Sequence, residues 1–130
     1  MIVLDTHVWL WWAAAPERLS PAAADAIAAA TGLGVSTLSC WEVTMLAERG
    51  RIALDRPAAQ WVHAALGTDA RMRPLAPDAE VAVRAAELGR DGFHGDPADR
   101  FIYATARANG ATLLTRDEAL RRFDPANTLW

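Results

Sequence analysis

Five acidic residues stand where carboxylates could act together: Asp5 after the apolar run at residues 1–4, Glu42 after the run at 33–37, Asp96 and Asp99 around Pro97, and Asp117 just past Leu114. Carboxylates drawn within a few ångströms of one another cannot all ionise without a counter-charge. For oxygen-only ligands that counter-charge is a hard divalent ion, Mg²⁺ or Mn²⁺, which keeps several of its waters and takes part of its shell from substrate phosphate. An ion so held acidifies a bound water, polarises a phosphoryl oxygen and stabilises a leaving oxygen. The chemistry implied is phosphodiester hydrolysis, with positive charge supplied by the metal.

Each acid also has a local structural explanation. Ser39-Cys40-Trp41-Glu42 matches a capping box, in which Glu42 satisfies a backbone donor at a helix start. Asp96 before Pro97 reads as an N-cap with Asp99 at the third helical position, where an acid gains roughly 0.3 to 1 kcal/mol from the helix dipole. On this reading all five acids lie at helix N-termini. They form a site only if those helices start on one edge of one sheet.

The elements that would do this are legible in the spacing of apolar residues. Short apolar runs at 1–4, 33–37, 72–75, 112–114 and 128–130 predict strands. Between them, caps and helical periodicity predict helices opening at Asp5-Thr6, at Ser20-Pro21, at Ser39 through Glu48 with Gly50 as stop, at Asp55 and Pro57, at Pro77-Asp78, at Asp96-Pro97 as far as Asn109, and at Asp117. The glycine-rich stretch 89–95 reads as a mobile loop. Strands alternating with helices predict one α/β domain over residues 1–130, with a central parallel sheet of four to five strands flanked by helices. Ligands of such sheets bind beyond the carboxyl ends of the strands, where the strand order reverses. Asp5 and Asp117 are expected there.

Composition narrows the field. The chain has 130 residues, 52% hydrophobic and 22% charged, with a net charge of -3. All 13 basic residues are arginine, so an activity that needs a catalytic lysine is excluded, and with it a receiver-type acidic site. A haloacid dehalogenase-like phosphatase needs a second acid two residues after Asp5, where His7 stands. Cys40 is the single cysteine, which points to a reducing cytoplasm, and no run is long enough to span a membrane. His63, in a helix with Trp61, reads as unrelated to chemistry. Trp9, Trp11 and Trp12 cannot share one helix face, so at least one is expected to be exposed, as crevice wall or as a partner surface.

Read together, Leu4-Asp5-Thr6-His7, Ser39-Cys40-Trp41-Glu42, the run His94-Gly95-Asp96-Pro97-Ala98-Asp99-Arg100, and Leu114-Thr115-Arg116-Asp117 resemble the PIN domain, and within it the VapC-like toxins of bacterial type II toxin-antitoxin pairs. The resemblance implies a PIN-like three-layer fold and a Mg²⁺- or Mn²⁺-dependent endoribonuclease acting on RNA. It also implies a homodimer neutralised by a cognate VapB-like antitoxin, with no membrane partner. Asp5, Glu42, Asp99 and Asp117 match the family's four core acids, with Asp96 as a fifth metal ligand. Thr6, Thr115, Arg116 and His94 are candidates to place substrate or an outer-shell water. His7 departs from the asparagine most common at its position. A catalytically silent PIN-fold protein or RNA-interaction module is the alternative. With the five acids set aside, 13 arginines face 11 acids, so the remainder of the chain is mildly basic.

Overall fold

A computed structural model describes residues 1–130, and its strands form one sheet in the order β3-β2-β1-β4-β5, every pair parallel. The strands are β1 (Ile2–Leu4), β2 (Leu33–Ser36), β3 (Met72–Leu75), β4 (Thr112–Leu114) and β5 (Thr128–Leu129). The helices are α1 (Thr6–Ala14), α2 (Pro21–Ala29), α3 (Thr37–Glu48), α4 (Ala58–Gly67), α5 (Ala79–Glu87), α6 (Pro97–Ala108) and α7 (Glu118–Phe123), with a 3-10 turn at Pro16–Arg18. The chain builds outward from β1 through β2 to β3, then returns to the other side of β1 for β4 and β5. The order therefore reverses at β1, and the crevice that Asp5 and Asp117 were expected to share opens there.

Period-two alternation places the core. Leu4 and Leu114 turn to a cluster with Val8, Trp9, Leu33, Val35 and Trp61, whereas Val3 and Leu113 turn to the opposite cluster with Ile102, Tyr103 and Leu120. A sheet buried on both faces needs apolar residues at consecutive positions, which is why these strands read as unbroken runs. Gly34 in β2 has a steric reason: a Cβ there would meet Leu75 at 2.7 Å and Val3 at 3.1 Å.

Most helix starts follow the predicted positions, although α4 opens after Pro57 with no side-chain cap and with Asp55 paired to Arg56 instead, and α3 departs in an instructive way. Ser20 accepts from the Ala23 amide and Asp78 from the Val81 amide, as the sequence implies. Helix α3, however, begins at Thr37, capped by Ser36, whose hydroxyl accepts from the Leu38 amide. Ser39 is already inside the helix, and its hydroxyl accepts instead from the Thr6 hydroxyl at 2.9 Å, tying α3 to α1. The capping box is therefore not formed. Glu42 lies in the second turn, free of any backbone duty.

Two further expectations are corrected. Trp9 and Trp11 are both buried and Trp12 is half-buried, while the exposed tryptophan is Trp41, at 56%. Trp9 packs edge-on to Trp61 inside, and Trp11, on another side of α1, is covered by Trp130 from the far end of the chain. The glycine-rich stretch 89–95 is fastened to the body of the protein. Phe93 is buried against Phe123, and its amide donates to the Leu88 carbonyl.

Candidate active site

The carboxyl ends of β1, β2 and β4 bound a cavity of about 660 Å³ that contains Asp5, Glu42, Asp96, Asp99 and Asp117, together with Glu118. All five acids singled out from the sequence are thus brought together. His7, Trp11, Arg18 and Arg116 complete the wall. Trp11 takes the crevice-wall role that one of the three clustered tryptophans was expected to have, whereas Glu118 and Arg18 were not anticipated; Arg18 had a signal only in being a cation on the turn that follows the helix opened by Asp5. Thr6 and Thr115 are buried beneath the floor, and His94 is exposed and outside the lining.

Asp5 extends β1 by one more bond, its amide donating to the Leu114 carbonyl at 3.0 Å. One of its carboxylate oxygens accepts from the Thr6 amide at 2.8 Å and the other from the Thr115 hydroxyl at 2.6 Å. The Thr115 hydroxyl in turn accepts from the Asp117 amide at 3.0 Å. One buried hydroxyl therefore fixes the acid after β1 and the backbone of the acid after β4. Asp117 caps α7 through a single oxygen, which accepts from the Ala119 and Leu120 amides, and its other oxygen has no protein donor. Asp96 occupies the N-cap position of α6 without making a side-chain cap bond. Neither Asp99 nor Glu42 receives a hydrogen bond or ion pair from the protein.

The electrostatic result is a crowded group of anions. Desolvation raises the Asp5 carboxyl above its ordinary value, opposed by the Thr115 and Thr6 hydrogen bonds and reinforced by Glu42. Asp99 is pushed up to about 7, first by desolvation and then by the negative charges of Asp5, Glu42, Asp117 and Asp96. Asp5 and Asp99 are thus both harder to ionise than ordinary aspartates. Such a set is stable at neutral pH with a proton or with a cation.

No group of three or more His, Cys, Asp or Glu side chains stands arranged to hold a metal ion directly. The donor set is that of a hydrated hard cation: Mg²⁺ is ordinarily bound through one or two carboxylates and several waters, and the acids here offer only oxygens. The uncapped carboxylate oxygens and the raised Asp99 suit the same role.

Comparison with known proteins gives a consistent picture. The PIN domain family profile matches residues 2–125. The chain is 43% identical over 131 aligned positions to Ribonuclease VapC22 of Mycobacterium tuberculosis, covering 99% of this chain and 98% of that protein. Among solved structures it resembles VapC20 of Mycobacterium tuberculosis, a sarcin-ricin loop cleaving toxin, with a TM-score of 0.70, 20% identity, and 99% and 97% of the two chains covered. It also resembles VapBC2 of Rickettsia felis bound to a fragment of its promoter DNA, with a TM-score of 0.69, 15% identity, and 99% and 98% covered. A toxin-antitoxin complex from Klebsiella pneumoniae matches at a TM-score of 0.67 and 19% identity, over 100% of this chain and 97% of the other.

Proposed function

The chain belongs to the PIN-domain family, and from that premise we propose that it is a VapC-type ribonuclease, the toxin of a toxin-antitoxin pair, which hydrolyses RNA phosphodiester bonds. The observation that carries the reading is the convergence of Asp5, Glu42, Asp96, Asp99 and Asp117 on one cavity at the strand-order reversal, with Asp99 pushed up to about 7 by desolvation and then by the negative charge of the others.

In this proposal Asp5, Glu42, Asp99 and Asp117 hold Mg²⁺ or Mn²⁺, with Asp96 as the fifth acid. The bound ion supplies an acidified water and a Lewis acid for the phosphoryl group. The protein's part is to present oxygens in fixed positions. Asp5 is held at both oxygens by Thr6 and Thr115, so its orientation does not depend on the ion. Asp117 is anchored by its capping oxygen and offers the other. Asp99, whose carboxyl is pushed up to about 7, would give up its proton on binding a cation. Thr115 acts through Asp5 and Asp117, as a positioning residue.

Structural neighbours that are toxin-antitoxin complexes support a protein antitoxin as partner. A homodimer is proposed as the assembly. The exposed Trp41, in an apolar groove with Leu38, Met45 and Phe101 beside the acidic cavity, is compatible with such a contact. Sedimentation of Trp41→Glu as a monomer where the wild type is a dimer supports this assembly, and an unchanged dimer removes that face from it. No helix is long and apolar enough to cross a membrane.

The test of function is cleavage of total RNA by purified protein with Mg²⁺, with Mn²⁺ and with EDTA, alongside Asp5→Asn and Asp99→Asn. Metal-dependent cleavage leaving 5'-phosphates, lost in both variants, is expected. Cleavage that persists in EDTA or in both variants refutes the metal mechanism. Absence of cleavage and of any growth effect on expression favours a silent PIN-fold protein.

A further inference from the structure

Nine of the thirteen arginines have a guanidinium tied to a carboxylate or a backbone carbonyl; Arg18, Arg49, Arg51 and Arg116 do not. Two of these four line the acidic cavity, and both sit on the same ring. The guanidinium carbon of Arg18 is 4.8 Å from the Trp11 ring centroid and that of Arg116 is 5.7 Å from it. Trp11 is a firm support: it is buried, with His7 at 5.8 Å and Trp130 at 5.6 Å between ring centroids. Arg18 ends the 3-10 turn at Pro16–Arg18, and Arg116 lies between Thr115 and Asp117, so neither comes from a long loop.

Cations in a cavity lined by six acids have every electrostatic reason to pair with them. These two make no ion pair; each guanidinium lies over the Trp11 ring, where cation-π attraction holds it. Their donor forks remain free to accept an anion from outside. We propose that Arg18 and Arg116, seated on Trp11, form a clamp for the RNA backbone, gripping phosphate next to the one that enters the acidic floor. This rests on the ribonuclease reading of the same cavity and adds a division of labour to it. The carboxylates serve the reacting phosphate, and the arginine pair serves ground-state binding, for which a planar fork fits phosphate in two-point contact.

The clamp is tested with Arg18→Ala, Arg116→Ala, the double variant and Arg18→Lys, with Arg51→Ala as control because Arg51 is exposed and lines neither this cavity nor the groove beside it. Binding of a fluorescent random-sequence RNA oligonucleotide is followed in Ca²⁺ across a salt series, and cleavage of bulk RNA in Mg²⁺ gives apparent KM and kcat. Each alanine should raise KM about tenfold, the effect of losing one charged hydrogen-bonding partner, and leave kcat within about twofold. The slope of log affinity against log salt should become shallower by about 0.7 per arginine removed. Arg18→Lys should keep the slope while only partly restoring KM, since lysine keeps the charge and loses the fork. An unchanged KM and slope in the double variant overturns the clamp, as does a loss confined to kcat. Unmoved RNA parameters with a lowered affinity for the antitoxin overturn it too, by assigning the pair to the protein partner. If the wild-type protein cleaves no RNA, the ribonuclease reading fails, and the salt slope still decides whether the arginines bind the backbone.

Discussion

Replacing Asp99 by asparagine should stabilise the metal-free protein, and should do so only where Asp99 is ionised. An ordinary aspartate titrates near 3.8, whereas Asp99 is pushed up to about 7. At about 1.4 kcal/mol per pH unit, that difference is about 4 kcal/mol between its two protonation states. Asp99 is partly open to solvent, which screens the repulsion, so about half of this, about 2 kcal/mol, is expected to be realised. The sign follows from proton linkage. Because the folded value is raised above the unfolded one, the stability contributed by Asp99 is complete below about pH 4, declines as pH rises, and is gone above about pH 7. Asparagine mimics the neutral acid at every pH and does not decline.

The assay is a pair of thermal melts in EDTA at about pH 4 and about pH 8, wild type against Asp99→Asn. With an unfolding entropy of about 2.1 cal/mol/K per residue over 130 residues, a 2 kcal/mol gain corresponds to a Tm higher by about 7 °C. The variant should lead by about that amount at pH 8 and match the wild type at pH 4. Saturating Mg²⁺ should close the gap at pH 8 by stabilising the wild type more than the variant. A gap that is the same at both pH values, or a variant that melts lower at pH 8, refutes the crowding of these carboxylates.

Thr115→Val keeps the shape of a fully buried side chain and removes both the 2.6 Å bond to Asp5 and the acceptor for the Asp117 amide. It should cost about 1 to 3 kcal/mol in urea denaturation and lower kcat well beyond its effect on KM, because the two acids it orients lose their fixed positions. Gly34→Ala places a methyl against Leu75 and Val3 and should lower stability by about 1 to 3 kcal/mol, with RNA cleavage intact at a temperature where the variant is folded. Arg71→Ala removes a fork that bonds Asp69 and the Ile27 and Ala30 carbonyls at the end of α2. It should lower Tm without altering RNA affinity, since that guanidinium is engaged far from the cavity.

Where the sequence was read wrongly, tertiary contacts had overridden a local signal. The box pattern with Glu42 favours Ser39 as the cap, and Ser36 caps the helix instead. The choice is decided by the Thr6 hydroxyl, thirty-three residues away, which claims Ser39 as its acceptor. The burial of Trp11 depends on Trp130, and the mooring of the 89–95 stretch on Phe123, neither of which a local window contains. By contrast the sheet, the five acids and most caps were readable, because each follows from a pattern only a few residues long. Arg18 lay between these cases: its charge was visible, but its place on Trp11 was not.

The same correction removes a conflict present in the sequence, where capping and catalysis compete to explain the acids. Asp117 caps with one oxygen and leaves the other free; Asp96 holds a cap position without bonding; Glu42 and Asp99 have no protein partner at all. Only Asp5 is satisfied at both oxygens, and it is the one that needs to be, since it stands at the deepest point of the crevice, on the strand where the order reverses. Capping thus orients the carboxylates and does not neutralise them. A fold that wanted stable helix starts alone would have satisfied these groups with amides. Leaving four of them with unpaired oxygens around one cavity keeps a repulsion that a proton or a cation relieves, and that repulsion adds to desolvation in raising Asp99 to about 7.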